Sequence, residues 1–261
     1  MRKKKQLKIT FLGTGTSTGV PMISSTHPVA FSNDLKDKRL RSSIMISWDE
    51  VTYIIDCGPD FRQQMIRENV QKINGILFTH EHSDHIAGFD DIRPYSFQIG
   101  EVPIYVTERV LQALKKRYEY VFETENRYPS APSVAPILIS HKTSFDLQGV
   151  NVVPVEVMHG DLPVLGFRFN DFAYVTDIKT ITDTEINKLK NLDTLVVTGL
   201  RKEPHATHFN IEEALQFVER VQPKKTYLTH ISELLGFHEE VEKELPENVF
   251  IAYDGLHLVS E

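Results

Sequence analysis

Residues 75–85 read GILFTHEHSDH, an apolar run that leads directly into three histidines and an aspartate. The apolar run predicts a short buried strand, and the polar residues after it predict a turn. Histidine and carboxylate side chains suit zinc, manganese, iron or nickel ions. In such a turn His80 and His82 can face one metal ion while Asp84 and His85 face a second. A solvated polar turn is the alternative interpretation, which one histidine alone would favour but this cluster does not.

Four side chains are too few for two metal ions, and three later apolar runs also end in metal-competent residues. Residues 152–158 lead into His159, residues 172–176 into Asp177, and residues 226–229 into His230. Functional side chains commonly follow strand ends, because a rigid sheet holds them there. Each of these residues alone would more often be an ordinary polar group, but together they predict further ligands. The two oxygens of the Asp177 carboxylate can bridge two cations.

The remaining pattern predicts a layered fold in which two strand-rich blocks are each followed by helices. Such an order predicts two packed sheets with helices outside. Residues 108–122 predict one continuous helix, Asn210 and Glu213 predict a capping box, and the Asp-Gly pair at 254–255 predicts a hairpin. Since no linker-like stretch separates the blocks, we predict a single domain over residues 1–261.

Composition limits the classes of function. The chain has 261 residues, of which 41% are apolar and 25% charged, as in a globular protein with a sizeable core. Its net charge of −7 argues against nucleic acid as a partner. Cys57 is the single cysteine, so neither an intramolecular disulfide nor a multi-thiolate zinc site can form. No apolar run is long enough for a membrane span or a signal peptide, so we expect no membrane partner and cytoplasmic residence.

The ordered set of candidate ligands resembles that of the metallo-β-lactamase superfamily. In chain order these residues are His80, His82, Asp84, His85, His159, Asp177 and His230. Asp56 also matches the aspartate that precedes the histidine motif in that superfamily. The resemblance covers nearly the whole chain and implies an α+β four-layer αββα sandwich, whose two mostly antiparallel or mixed sheets are flanked by helices. It also implies the grouping of the ligands: His80, His82 and His159 on one metal, Asp84, His85 and His230 on the other, and Asp177 as the bridge.

Four shorter motifs resemble the phosphoribosyl 1,2-cyclic phosphate phosphodiesterase branch. They are LGTGTS at 12–17, GPDFR at 58–62, DDIRP at 90–94 and PHATH at 204–208. In that branch a histidine upstream of the last ligand contacts the scissile phosphate; His208 matches it, whereas His205 has no clear match. Many relatives carry a cysteine-rich zinc clip where this chain has residues 21–30, which contain no cysteine. The resemblance therefore does not extend to a structural zinc site.

The resemblance implies a metal-dependent phosphodiesterase that acts on a small, in some relatives cyclic, phosphodiester. Two divalent ions, Mn²⁺ or Zn²⁺ with iron or nickel also compatible, would hold a water that attacks phosphorus as a bridging hydroxide. Asp84 would orient that water or accept its proton, and His208 would donate a proton or hydrogen bond to the phosphate or the leaving group. A predicted helix start beside His208 adds backbone donors for an anion. A homodimer is the default expectation.

Three other functions remain as alternatives. A thioester or lactone hydrolase could use the same fold and the same attacking group on an acyl carbon. An RNA-processing nuclease is also a phosphodiesterase, but the acidic net charge argues against a polymeric nucleic acid. A metal-binding sensor or scaffold would bind the metals without turnover, and the presence of His208 argues against it.

Overall fold

Two seven-stranded sheets pack face to face, with helices on both outer sides, in the computed structural model, which describes residues 4–125 and 127–260. The predicted αββα sandwich is thereby confirmed. The sheets are mixed, since each contains both antiparallel and parallel pairs. Within the described residues, no helix is long and apolar enough to cross a membrane.

The first sheet combines the first six strands of the chain with its last strand. In spatial order its strands are β14 (His257–Val259), β1 (Lys8–Gly13), β2 (Ser43–Trp48), β3 (Val51–Ile55), β4 (Gly75–Leu77), β5 (Val102–Val106) and β6 (Val134–Leu138). The pairs from β14 to β3 are antiparallel, and those from β3 to β6 are parallel.

The second sheet repeats this arrangement with the other half of the chain. In spatial order its strands are β7 (Phe145–Leu147), β8 (Val150–His159), β9 (Leu162–Phe169), β10 (Phe172–Val175), β11 (Thr194–Thr198), β12 (Lys225–Thr229) and β13 (Val249–Ile251). The first three pairs are antiparallel and the last three parallel. Thus β3 and β10 occupy equivalent central positions in the two sheets.

The helices are short and lie outside the sheets. They are α1 (Phe61–Arg67), α2 (Ser83–Ile86), α3 (Arg93–Ile99), α4 (Glu108–Arg117), α5 (Glu119–Phe122), α6 (Asp183–Asn187), α7 (Ile211–Val221) and α8 (His238–Glu242). Large buried side chains such as Trp48, Phe167 and Tyr174 fill the space between the sheets. Separate apolar clusters join each sheet to its own helices, through Phe61 on one side and Phe217 on the other. Since full burial of one such side chain stabilises the fold by about 1.5–3 kcal/mol, these three layers hold the sandwich together.

The predicted continuous helix over 108–122 is wrong, because the chain leaves helical geometry at Tyr118, with φ −125° and ψ 47°. The Tyr118 side chain points into the structure, where its hydroxyl donates to the carbonyl of Ile86 at 3.0 Å. Its ring centroid lies 5.1 Å from that of Phe89. These long-range contacts override the local helical preference at this residue.

The predicted hairpin at 254–255 is also wrong, since β13 and β14 belong to different sheets. The segment between them crosses the edge of the sandwich, and there the Asp254 carboxylate accepts hydrogen bonds from Thr14 N at 2.9 Å and from Leu40 N at 2.8 Å. Each apolar run is three residues long and adds a strand to the edge of its own sheet. A hairpin signal is local, whereas the choice of sheet is made by distant partners.

Candidate metal centre

The seven predicted ligands lie together at one edge of the sandwich. Each follows the carboxyl end of a strand or lies in the short helix after one: His80 and His82 after β4, Asp84 and His85 in α2, His159 at the end of β8, Asp177 after β10 and His230 after β12. The ring centroid of His80 lies 4.2 Å from that of His85 and 6.0 Å from that of His159. Parallel strands place their carboxyl ends at the same edge, which is why residues so distant in sequence converge there.

Four of these side chains form one compact group of potential ligand atoms. Asp84, His85, Asp177 and His230 each offer one atom, and these atoms lie within 4.8 Å of one another. His85 Nε2 is 3.1 Å from Asp84 Oδ2 and 3.3 Å from Asp177 Oδ2. His230 Nε2 is 3.4 Å from Asp177 Oδ1. All four residues are buried, so few waters can substitute for a cation between them.

A second group adjoins the first and shares Asp177 with it. His159, Asp177 and His208 also place one atom each within 4.8 Å of one another. The rings of His82 and His80 flank that of His159, with centroids at 5.1 and 6.0 Å. Asp177 is therefore the residue that the two groups share.

Several buried histidine nitrogens in this region lack a hydrogen bond, which tests whether the site fits a metal. Among the described residues they include His80 Nε2, His85 Nε2 and His230 Nδ1. His85 Nε2 lies 3.1 Å from Asp84 Oδ2 but donates no hydrogen bond to it. Unsatisfied buried polar atoms are rare and demand an explanation. Imidazole nitrogens beside carboxylates are suitable donors for zinc or manganese, so the residues fit a pair of divalent cations.

The charges of the site lead to the same conclusion. Burial opposes the charge of Asp177, but His230 and His85 hold the pKa of this carboxyl well below its usual value. Burial also opposes a proton on His85, yet Asp84, Asp177 and Asp56 raise the pKa of its imidazole well above the ordinary value. Burial lowers the pKa of His80 and of His230. The site therefore combines ionised carboxylates with neutral imidazoles at His80 and His230, the form that binds metals, and a cation bound at His85 would take the place of the proton that its carboxylate neighbours favour.

Outer contacts fix the orientation of the candidate ligands. Asp56 Oδ2 accepts from His85 Nδ1 at 2.6 Å, and Thr79 donates to the same carboxylate from N and Oγ1, both at 2.8 Å. His159 Nδ1 donates to the carbonyl of Thr207 at 2.8 Å. Each contact occupies Nδ1 and leaves Nε2 for a metal. The resemblance alone pointed to Asp56, and no sequence signal marked Thr79 or Thr207.

Three residues at the site adopt a left-handed backbone conformation that residues other than glycine rarely adopt. The φ angles are +64° at Asp56, +58° at Asp177 and +58° at His230. Each residue comes within two positions of the end of a parallel strand, β3, β10 or β12. Such conformations are unfavourable by about 1–3 kcal/mol each and cluster at functional sites, where the surrounding structure maintains them.

His208 belongs to the second group and lies two residues before Asn210, the N-cap of helix α7. Its Nδ1 is 3.7 Å from Asp177 Oδ1, and its ring centroid is 4.3 Å from that of His159. Burial, with the neighbouring His230, lowers the pKa of His208 to about 3, so its ring is neutral at neutral pH. The predicted capping box is confirmed, since Glu213 N donates to Asn210 Oδ1 at 2.9 Å and Asn210 N to Glu213 Oε2 at 3.0 Å.

Comparison with known proteins agrees with this fold and with these motifs. The sequence model of a family described as β-lactamase superfamily domain matches residues 52–231, more than half of the chain. A crystal structure of a new diphosphatase from the PhnP family shares the fold at a TM-score of 0.91 and 39% identity, covering 98% of this chain and 97% of that one.

Two named relatives differ in how much of their length they share with this chain. A ribonuclease Z from Methanococcus maripaludis is 25% identical over 90% of each protein. A protein from Porphyromonas gingivalis named octanoyltransferase is 36% identical over 97% of this chain but over 51% of its own length. The chain therefore spans about half the length of this second relative.

Proposed function

This chain belongs to the metallo-β-lactamase superfamily, near the PhnP branch, and on that premise we propose that it is a dinuclear metal-dependent hydrolase of a small phosphodiester. The observation that carries the proposal is the shared position of Asp177 between two groups of potential ligands. One shared carboxylate between two clusters supports two adjacent cations rather than one. Three expectations stay predictions: cytoplasmic residence, a homodimer and a single domain over residues 1–261. The last of these includes residues 1–3, 126 and 261, which lie outside the described residues.

The ligand roles form part of the proposal. His80, His82 and His159 would hold one ion, Asp84, His85 and His230 the other, and Asp177 both. Divalent cations at such a site lower the pKa of water toward neutrality and offset the negative charge that gathers on phosphoryl oxygens. Asp84 and Asp177 return two negative charges, so a pair of dications would keep a net positive charge that suits a monoanionic diester. Mn²⁺ and Zn²⁺ are the proposed ions, and iron or nickel tolerates the same donors.

The remaining residues of the site position groups and donate hydrogen bonds. Asp56 holds His85, and the Thr207 carbonyl holds His159, so neither ring has to reorganise when substrate binds. Asp84 would also orient a water for attack on phosphorus. The neutral ring of His208 would donate a hydrogen bond to the phosphate or the leaving oxygen. The backbone donors expected at the start of α7 are largely occupied, because Ile211 N donates to the carbonyl of Arg201 at 3.0 Å and Glu213 N to Asn210 Oδ1 at 2.9 Å.

A second candidate function is acyl-thioester hydrolysis, and the relative named octanoyltransferase favours it. The same cations can polarise an acyl carbonyl in place of a phosphoryl oxygen. Because the chain spans about half of that relative, the transferase activity can belong to the other half. The buried Cys57 offers no accessible thiol for acyl transfer. We therefore keep the phosphodiester as the first proposal.

The proposal is tested by metal analysis together with a panel of substrates. The full chain, loaded with Mn²⁺ or Zn²⁺, is assayed with aryl phosphodiesters, cyclic nucleotides, a ribose cyclic phosphate, an octanoyl thioester and a lactone. We expect two ions per chain and turnover of phosphodiesters that a chelator abolishes. Hydrolysis of the thioester without that of any diester would establish the second candidate instead. Two bound ions with no turnover of any substrate would contradict both.

A further inference from the structure

Glu81 and Ser83 alternate with the candidate ligands in the turn after β4, and the proposed function uses neither of them. They lie on either side of His82, and both contact helix α4. Glu81 Oε1 accepts from Arg109 Nε at 2.6 Å. Arg117 Nη1 donates to the carbonyl oxygen of Glu81 at 3.1 Å and to Ser83 Oγ at 3.4 Å. One helix therefore holds the residue before His82 and the residue after it.

His82 depends on these contacts because its ring has no hydrogen-bonding partner within the described part of the chain. Two other candidate ligands do have such partners. His85 Nδ1 donates to Asp56, and His159 Nδ1 donates to the carbonyl of Thr207. His82 is also exposed, whereas His85 is fully buried. The position of the His82 ring is therefore set chiefly by its backbone, which lies between the two residues that α4 contacts.

Helix α4 is anchored firmly enough to serve as a support for the turn. Its buried side chains pack in the same apolar cluster as Phe61. Directly after the helix, the Tyr118 hydroxyl donates to the carbonyl of Ile86 at 3.0 Å. Arg117 and Tyr118 are neighbours in sequence, and together they contact both ends of the segment 81–86. That segment contains three of the candidate ligands, so the end of α4 fixes this part of the candidate metal centre as a unit.

We propose that Arg117 is a positioning residue of the metal centre, which holds His82 in place through the carbonyl of Glu81 and the hydroxyl of Ser83. Its effect is to tighten the binding of the ion that His82 helps to hold. The proposal rests on the ligand roles of the proposed function. Because the contacts of Arg117 are with Glu81 and Ser83, it acts on the ion only through His82. Outer contacts of this kind typically contribute about 10–100-fold to metal affinity.

The positive charge of Arg117 makes its role easy to distinguish, because charge and position have opposite effects on metal binding. A guanidinium repels a nearby cation, so loss of the Arg117 charge alone would strengthen the binding of a metal ion. Loss of its two hydrogen bonds would instead free the turn around His82 and weaken that binding. A lower metal affinity after replacement of Arg117 therefore reports on the position of His82.

The test is a calorimetric titration of the metal-free full chain with Zn²⁺. Arg117→Met keeps the apolar stem of the side chain but removes its charge and its donors, whereas Arg117→Lys keeps the charge and one donor group. Lys116→Met is the matched control, because Lys116 is an exposed cation on the same helix. His82→Ala and the double variant His82→Ala/Arg117→Met complete a cycle that measures the coupling between the two residues. Since Arg117 is exposed, its replacement should leave the fold intact.

In Arg117→Met, one of the two zinc ions should bind about 10–100-fold more weakly than in the wild type. Arg117→Lys should recover part of that affinity, and Lys116→Met should bind both ions at least as tightly as the wild type. In the His82→Ala background, Arg117→Met should cause little further loss, because its effect requires the His82 ring. Unchanged affinities for both ions in Arg117→Met would overturn the proposal, and so would a loss of the same size with and without His82.

Turnover measurements separate this inference from the proposed function. If the wild type binds two ions but hydrolyses no diester, the proposed function fails, and the inference still stands if Arg117→Met weakens the binding of one ion. If the wild type hydrolyses a diester and Arg117→Met binds both ions with unchanged affinity, the proposed function stands and the inference fails.

Discussion

At the scale of single residues, Asp177 combines burial and an unfavourable backbone conformation with a place in both groups of potential ligands. It is buried, lies at a φ of +58° and belongs to both groups of potential ligands. Thr198 Oγ1 accepts from its N–H at 2.8 Å, and the Thr176 hydroxyl donates to its Oδ2 at 2.6 Å. These contacts hold an otherwise unfavourable backbone conformation and aim both oxygens into the site. An aspartate held in an unfavourable backbone conformation indicates a function that requires its carboxylate at this position.

Asp177→Asn should reduce bound metal from two ions per chain to one or none. Asparagine has the shape of aspartate but lacks the charge and the second anionic oxygen that bridging requires. Loss of a mere outer contact typically weakens metal binding by about 10–100-fold, so loss of the bridge should weaken it by at least about 100-fold. Metal content after dialysis and turnover measure the effect. Asp183→Asn, on an exposed aspartate, is the control, and two retained ions in Asp177→Asn would refute the bridge.

His208→Ala should separate turnover from metal binding. If the neutral His208 ring donates to the phosphate or leaving oxygen, kcat should fall by roughly 10²–10⁴-fold while both metals remain. Metal analysis and steady-state kinetics on the preferred diester measure the two quantities. His257→Ala, a surface substitution far from the site, should leave both unchanged. Unaltered turnover in His208→Ala would remove this residue from the reaction.

At the scale of elements, the two sheets share one topology, and equivalent strands deliver an aspartate to the site. β3 leads into Asp56 and β10 into Asp177, and both residues adopt left-handed backbone conformations. The two carboxylates have different roles. Asp56 accepts a hydrogen bond from His85, whereas Asp177 lies among the candidate ligand atoms themselves. A repeated strand arrangement thus supplies two carboxylates from opposite halves of the sandwich, and their side-chain partners decide how each is used.

Helix α7 should depend on its capping box for stability. The Asn210 side chain accepts from Glu213 N and donates from Nδ2 to the carbonyl of Lys202 at 3.0 Å, so it ties the helix to the loop that carries His205 and His208. Asn210→Ala should lower the free energy of unfolding by about 0.5–2 kcal/mol. Urea denaturation measures the change, with Gln216→Ala, on the partly exposed face of the same helix, as control. A loss no larger than that of the control would show that the cap is dispensable.

At the scale of the whole molecule, the sequence predicts what is encoded locally. The succession of strands along the chain, the capping box and the candidate ligands were predicted from apolar runs and from the polar residues that end them. That β13 and β14 belong to different sheets could not be predicted. The two runs are adjacent in sequence, but they pair with strands from opposite halves of the chain. Thr79 and Thr207 escaped notice for a similar reason. After folding, Thr79 contacts His80 and Asp56 and Thr207 contacts His159, and a lone threonine carries no sequence pattern.

Asp254 links distant parts of the chain and should make global stability depend on pH. Its carboxylate joins Thr14, after β1, to Leu40, before β2, in the segment that crosses between the sheets. Burial raises the pKa of Asp254 to about 6 from the ordinary 3.8, although Arg67 and Arg39 oppose the shift. Since the folded state holds this proton more tightly, the stability that it contributes is present at low pH and is lost as pH rises through about 6.

The difference in unfolding free energy between the wild type and Asp254→Asn should therefore become smaller as the pH rises. Asparagine cannot accept from Leu40 N through its amide nitrogen, so the variant should be less stable than the wild type at low pH, where Asp254 carries no buried charge. Between about pH 4.5 and about pH 7.5 the wild type should lose about 2 kcal/mol of unfolding free energy that the variant does not lose. Urea denaturation of both proteins at the two pH values measures this, because contributions of the metals and other residues cancel in the difference. A deficit that stays constant with pH would mean that Asp254 is ionised in the folded chain throughout, and that its hydrogen bonds with Thr14 and Leu40 overcome its burial.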